Sequence, residues 1–571
     1  MATMNTKIVR AVSGSNPTAI VLFVGLILSL LLSSTHHHAA ASRPPSDDGG
    51  RGTPLSSCLV AAGVGNFSLA GSPGYAALLG FSIQNLRFAL PGVRKPAAVV
   101  LPASLRGLRR AVLCARAASM GIRVRSGGHS YEGQSYTVAG AAGEGDARFV
   151  VIDLMNLNKI RVDAASATAW AESGATLGEL YYAVANSPPP PSPSSNRSSS
   201  SRLAFSAGSC STVGLGGHVS GGGFGLLSRK FMLAADNVLD ALLVDAEGRV
   251  LDRGAMGEDV FWAIRGGGGG SWGVVYAWKL RLVPVPDTVT VFTPTRSGPV
   301  DSVAGLVHRW QHVGPALPDE FYLSVFLTIG GASRENGNAT VSFTGLVLGP
   351  KELAMSVLSE RFPELGLAET EVSEMTWVES AARFAGLSSA EELTSRDSKT
   401  KHYGKNKSDY VRRPIPADAV AAILRYLAGG PAGYVILDPY GGAMARAGAT
   451  DTPFPHRAGN LYGVQYGVTW EAGEDDGEAR MAWLRALYAH MAPHVSRNPR
   501  AAYVNYMDLD LGDEALAANG SVSVVSRARS TWGAAYFSTE NFDRLVRAKT
   551  LIDPANVFNN AQSIPSSELH G

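Results

Sequence analysis

The stretch Gly208-Ser-Cys-Ser-Thr-Val-Gly-Leu-Gly-Gly-His-Val-Ser-Gly-Gly-Gly-Phe-Gly225 sets a lone thiol and an imidazole among glycines and small hydroxyl residues. Two shorter segments share its character: Arg125-Ser-Gly-Gly-His-Ser-Tyr131, and Arg265-Gly-Gly-Gly-Gly-Gly-Ser-Trp-Gly273. Backbone without side chains lets a ligand come close, and clustered free N–H groups form nests that bind phosphate oxygens without lysine. A bound nucleotide cofactor is therefore the first expectation. The pattern Gly268-x-Gly270-x-x-Gly273 matches a dinucleotide fingerprint, but five consecutive glycines match it trivially. The next residues, Val274 to Leu282, alternate like a strand, whereas that fingerprint must open a helix. No glycine run leads into Gly-Lys-Ser/Thr, so neither a Rossmann fold nor a P-loop is expected.

Around these segments the chain mixes short strands and helices without a regular strand–helix alternation. VVLPAS, RVRSGG, RFVVIDL, TAWAESGAT, ALLVDAEGRVLD and VVYAWKLRLV read as strands or strand–turn units. LRGLRRAVLCARAASMG has helical spacing, with Gly121 as its stop. From Asp287 the strands lengthen (YLSVFLTIG, ATVSFTGLVLG, YGVQYGVTWEA), with amphipathic helices between them. The class is α+β. The expected division is 57–286 for cofactor binding, 287–498 as a second domain, and 499–565 returning to the first. Residues 187–201 (SPPPPSPSSNRSSSS) form a low-complexity surface insertion, since proline and serine cannot build a core.

At 571 residues with 45% hydrophobic content the chain can bury large cores, and its net charge of +2 gives no reason to expect nucleic acid or an anionic membrane as partner. Lys7 and Arg10, the apolar stretch Ala19 to Leu32, and the small residues Ala39 to Ala41 read as a secretory signal over 1–41, with a flexible lead-in over 42–56. The apolar run is shorter than the roughly 20 residues that span a bilayer, so cleavage is expected rather than anchoring. Asn66, Asn196, Asn338, Asn406 and Asn519 stand in Asn-x-Ser/Thr triplets and are the candidate glycosylation sites. In an oxidising compartment two of the three cysteines should pair. Cys58 with Cys114 is the expected bridge, leaving Cys210 spare.

RSGGHSYEG, CSTVGLGGHVSGGGFG, LAADNVLDA, EDVFWAIRGGGGGSWGVV, FPHRAGNLYGVQY, YVNYMDLDLG and DPANVFNNAQSIP together resemble the berberine bridge enzyme-like family of plant FAD-linked oxidases, from about Ser57 to Pro565. The resemblance implies the vanillyl-alcohol oxidase/p-cresol methylhydroxylase fold: a two-part α+β FAD domain of the PCMH type and an antiparallel-sheet substrate domain with helices. The family's two flavin attachment points fall on His129 and Cys210, which implies bicovalent FAD. Imidazole nitrogen and thiolate sulfur are nucleophiles suited to adding to an electrophilic flavin ring. Contacts to the cofactor are expected from Arg125, Ser126, Gly127, Gly128 and Ser130, then from Gly208, Thr212, Val213, Gly216, Gly217, Ser220 and Gly221, and finally from Gly273 and Val275. His218 either packs its loop or touches the flavin.

The same resemblance places an active-site tyrosine on Tyr506, with Tyr503 accompanying it, and further active-site residues on Gln465 and Tyr131. A tyrosine can take the substrate proton if a cation or hydrogen bonds lower its pKa, which makes Tyr506 the expected base. Strand alternation places Gln465 and Tyr503 opposite Tyr466 and Val504. Phe224 departs from the tyrosine common in members that oxidise aromatic alcohols, which tilts the substrate from phenolic alcohols toward sugars. Trp377, Tyr434 and Tyr440 are expected to pack the second domain. Val213, three residues after Cys210, is expected to shape the oxygen pocket. The expected enzyme is thus an oxidase of CH–OH donors that passes electrons to dioxygen and makes hydrogen peroxide. The alternatives are a dehydrogenase with another acceptor and a flavin-free wall glycoprotein. No metal is expected. The mature chain is expected to be a monomer in the apoplast or cell wall, or else in vesicles derived from the endoplasmic reticulum or in the vacuole.

Overall fold

The computed structural model describes residues 54–138, 148–188, 202–328, 338–397, 401–431, 433–473, 476–512 and 523–568. The signal, most of the lead-in, the low-complexity insertion, Asn196 and Asn519 lie outside them.

Short β-branched runs separated by glycine turns build two larger sheets in the first half, besides the pair Arg202–Ala204 and Val283–Val285. Strands Ala98–Val100, Phe149–Asp153 and Gly121–Arg125 lie parallel, with Phe67–Leu69 antiparallel at the edge. Ile160–Asp163, Thr168–Glu172, Val274–Arg281, Val238–Val244 and Val250–Leu251 form an antiparallel sheet of five. The helix Leu105–Ala117 ends earlier than Gly121 suggested. Ser119 takes the left-handed turn (φ 53°), and Gly121 already opens a strand. Cys58, on the helix Leu55–Ala61, is disulfide-bonded to Cys114.

The second half is one antiparallel sheet of eight strands among the described residues, with helices packed on one face. Four consecutive strands in it are Phe321–Thr328, Gly433–Pro439, Tyr462–Trp470 and, at the sheet's edge, Tyr403–Val411. Alternation divides their side chains cleanly. Val325, Val435, Leu437, Val464, Tyr466 and Val468 enter the core under the helices. Tyr322, Tyr434, Asp438, Gln465 and Asn406 share the opposite face, toward the glycine segments. No helix among the described residues is long and apolar enough to cross a membrane.

One ionic cluster joins the parts. Lys405 donates to Glu132, three residues beyond His129, and to Asp508 at 2.7 Å, two residues beyond Tyr506. Lys407 donates to the other oxygen of Asp508 at 2.6 Å and meets Asp510 at 2.6 Å. Glu132, both lysines and Asp508 are buried. Removing one member would strand another's charge away from water.

Candidate active site

The first two glycine segments touch through bare backbone. A Cβ on Gly127 would lie 2.2 Å from the amide nitrogen of Gly214, and one on Gly128 (φ +74°) would meet the Ser82 carbonyl at 1.8 Å. This contact brings His129 to the loop of Cys210. His129 Nε2 lies 2.9 Å from the Thr212 hydroxyl, and Cys210 Sγ lies 3.7 Å from that same oxygen. The loop is held from behind, because Leu177 and Gly178 donate to the Val213 and Ser211 carbonyls at 2.9 Å each. Those donors are the first turn of the helix Leu177–Ala185, which starts in a Thr176–Glu179 capping box. Burial lowers the His129 pKa to about 4, so the imidazole is neutral at physiological pH and keeps a lone pair. Cys210 is unpaired and exposed.

Elsewhere the glycines border a gap. A Cβ on Gly217 would meet nothing within 4 Å, and one on Gly269 nothing nearer than Ser220 Cβ at 3.7 Å. The third segment is latched beside the second, with the Gly268 N–H on the Ser220 carbonyl at 2.8 Å. A cradle of bare backbone beside a neutral imidazole and a free thiol fits a flat ring carrying a pyrophosphate. The expected contact residues divide by what their side chains already do. Arg125 spends its guanidinium on Asp153 at 2.7 Å and on the Leu79 carbonyl, so it is an anchor beneath the loop. Ser126 and Ser220 donate to the backbone at Ser173 and Gly216. Ser130 caps Gln134. Gly216 and Gly221 leave room for Ser173 and Asn505, and Gly273 leaves room for the Val244 carbonyl. Val275 pairs with Leu243 in the five-stranded sheet. His218 accepts the Gly208 N–H on Nε2 at 3.0 Å, which pins the loop just before Cys210.

Across the gap the second domain presents a polar wall. Gln465 donates to the Tyr131 hydroxyl at 2.8 Å, and Tyr434 donates to Asn406 at 2.9 Å. Asn406 is therefore no glycosylation site: it is 3% exposed inside the sheet and hydrogen-bonded on the site face. Asn66 is exposed and Asn338 half-buried. The Tyr506 ring lies 5.6 Å from that of Tyr131 and 4.9 Å from that of Tyr503. Tyr503 stands at the start of a single helical turn, Val504–Tyr506, and not in a strand as alternation suggested. Its hydroxyl receives the N–H groups of Gly223 (2.9 Å), Phe224 (3.1 Å) and Asn505 Nδ2 (3.0 Å).

Tyr503 and Tyr506 line a small cavity together with Phe224, Asp438, Tyr440 and Gly463. Phe224 stacks on Tyr440 at 5.0 Å, so Tyr440 belongs to the site, as does Tyr434 through Asn406. Trp377 packs against Tyr181 in the core. No lysine or arginine lines the cavity. Burial, reinforced by the Asp438 carboxylate, pushes the Tyr506 phenol well above its ordinary range, so the condition that would make it a base is not met. Sequence reasoning missed Asp438. The one sign of it was a carboxylate in the middle of an apolar strand, YVILDPY, in phase with Tyr434.

The FAD binding domain family matches residues 96–254, and the berberine and berberine-like family matches residues 502–565. Berberine bridge enzyme-like D-2 of Nicotiana tabacum is 49% identical over 533 residues, covering 90% of this chain and 91% of its own. Reticuline oxidase of Eschscholzia californica is 46% identical over 90% of this chain and 92% of its own. The structure of berberine bridge enzyme from the same plant superposes with a TM-score of 0.82 at 45% identity, covering 91% of this chain and 100% of that one. That of Phl p 4, a grass pollen allergen with glucose dehydrogenase activity, gives 0.80 at 37% identity, covering 90% and 99%. With matches at both ends of the chain and close identity along it, the protein belongs to the berberine bridge enzyme-like family of FAD-dependent oxidoreductases.

Proposed function

We propose that this chain is a secreted FAD-linked oxidase of an alcohol, that its FAD is bonded to both His129 and Cys210, and that dioxygen is its acceptor. The observation carrying the reading is the single Thr212 hydroxyl that lies within reach of both the imidazole and the sulfur. Two nucleophiles held a few ångströms apart over a bare-backbone cradle suit two bonds to one flat ring. Bound FAD supplies a two-electron acceptor for the hydride of a carbinol carbon.

The protein's own part is to hold the alcohol and manage its proton. Gln465 donates to Tyr131, which leaves the Tyr131 O–H free to donate toward a substrate oxygen. Tyr506, kept protonated, can donate likewise. Phe224 and Tyr440 give one wall an apolar face on which a sugar ring can stack. A sugar hydroxyl is the favoured donor, since Phe224 offers no hydroxyl to activate a phenol. Release as a monomer into the apoplast is part of the same reading.

Acid precipitation of the purified protein tests the linkage. The pellet should remain yellow, with one FAD mass on each of the peptides carrying His129 and Cys210, joined through the flavin. A colourless pellet with a yellow supernatant would reject both bonds.

A further inference from the structure

We infer that Asp438 is the catalytic base that takes the proton of the substrate hydroxyl, an assignment that rests on the alcohol-oxidase reading above. Asp438 lies in the strand Gly433–Pro439, directly opposite Gly463, which has no side chain to cover it. Its Oδ1 accepts the Tyr322 hydroxyl at 2.5 Å, and among the described residues no donor is bonded to Oδ2 and no cation pairs with the carboxylate. The other carboxylate at the cavity, Asp409, is already held by Arg500 through bonds of 2.7 and 2.5 Å. Lys405 and Lys407, in the same sheet, are held by Glu132, Asp508 and Asp510.

An unpaired carboxylate out of bulk water is costly, and such groups gather where chemistry needs them. The groups facing Asp438 are phenols: Tyr322 from the neighbouring strand, Tyr440 beyond the strand's end, Tyr503 and Tyr506 across the cavity, and Tyr131 beside Tyr506. All are held above their ordinary range, so all stay protonated and none competes as an acceptor. Burial raises Asp438 to about 6 while the Tyr322 bond pulls it down, so it is ionised at neutral pH. The step assigned to it is the proton half of the oxidation. The substrate O–H breaks, a new O–H forms on Oδ2, and the freed electron pair becomes the second C–O bond as the carbinol hydride departs to the FAD acceptor.

Anaerobic stopped-flow bleaching of the holoenzyme, with coniferyl alcohol and with cellobiose as probes, tests this across pH 5–9. The second-order bleaching rate of the wild type should fall as pH drops through about 6. Asp438→Asn should lose at least about 100-fold at pH 8 and lack that limb, a typical share for a general base. Tyr322→Phe removes the bond that lowers Asp438, so it should move the limb to higher pH. That shift is read from the pH profile whatever the rate, and it decides the matter if Asp438→Asn fails to fold. Wild-type bleaching matched by Asp438→Asn in rate and limb, or an unmoved limb in Tyr322→Phe, overturns the assignment alone. A wild type bleached by neither alcohol overturns the alcohol-oxidase reading and the assignment with it.

Discussion

His129 Nε2 stands 2.9 Å from the Thr212 hydroxyl, and this bond fixes which edge of the imidazole remains open. A neutral hydrogen bond is worth about 1 kcal/mol, or roughly fivefold in an orientation equilibrium. Thr212→Val keeps the volume and removes the hydroxyl from His129 and Cys210 together. Covalent attachment during refolding with FAD should slow about fivefold, with a rise in singly bonded flavin. Timed acid quenching and mass measurement of the flavopeptides check it.

Val213 is half-buried against the core, and its carbonyl holds the helix Leu177–Ala185. One extra methylene is felt in a close-packed interior. Val213→Leu should slow reoxidation of the reduced enzyme by air about tenfold or more while leaving substrate bleaching nearly unchanged. Mixing the prereduced enzyme with aerated buffer in a stopped-flow instrument separates the two half-reactions.

Three N–H groups converge on the Tyr503 oxygen, two of them from the backbone of the cysteine segment. In Tyr503→Phe the amides of Gly223 and Phe224 lose their partner without gaining water. Each unsatisfied donor costs about 1–3 kcal/mol. A fall in melting temperature of several degrees is expected for the holoenzyme, and a Tm within one degree of wild type would contradict it.

The Cys58–Cys114 bridge closes a loop of 56 residues. Restricting that loop in the unfolded chain stabilises the fold by about 4 kcal/mol in the chain-entropy treatment. Replacing both cysteines with serine should lower the denaturant midpoint accordingly, without altering the flavin spectrum, because Cys210 stands apart from the pair.

Features written in local pattern were legible in the sequence. Glycine runs announced close backbone approach, an odd cysteine count set Cys210 aside, and alternation separated Gln465 from Tyr466. What failed was decided by three-dimensional neighbours. The triplet at Asn406 marks an acceptor site only if it reaches the surface, and strand pairing with Gly467 buries it. Tyr503 alternates like a strand residue, yet it enters a helical turn to reach the N–H groups of Gly223 and Phe224. Tyr440 reads as sheet packing until Phe224, far away in sequence, stacks on it. Tyr506 fits its motif, but burial, with Asp438 adding to it, holds its phenol above the ordinary range, and no local pattern encodes the place of Asp438 opposite Gly463.

The cluster of Glu132, Lys405, Lys407 and Asp508 also sets when the protein becomes whole. Its members are 273 and 103 residues apart in the chain. A ribosome delivers Glu132 early and Asp508 near the end, so over the 101 residues from Lys407 to Asp508 the two ammonium groups lack their shared counterion. A chain halted before residue 508 must leave them hydrated or bury them unmatched, and either choice keeps the central sheet from closing over the cofactor loops. Long-range pairings of this kind form late and slowly. Only a chain read through Asp508 and Asp510 can therefore neutralise both ammonium groups within its own interior.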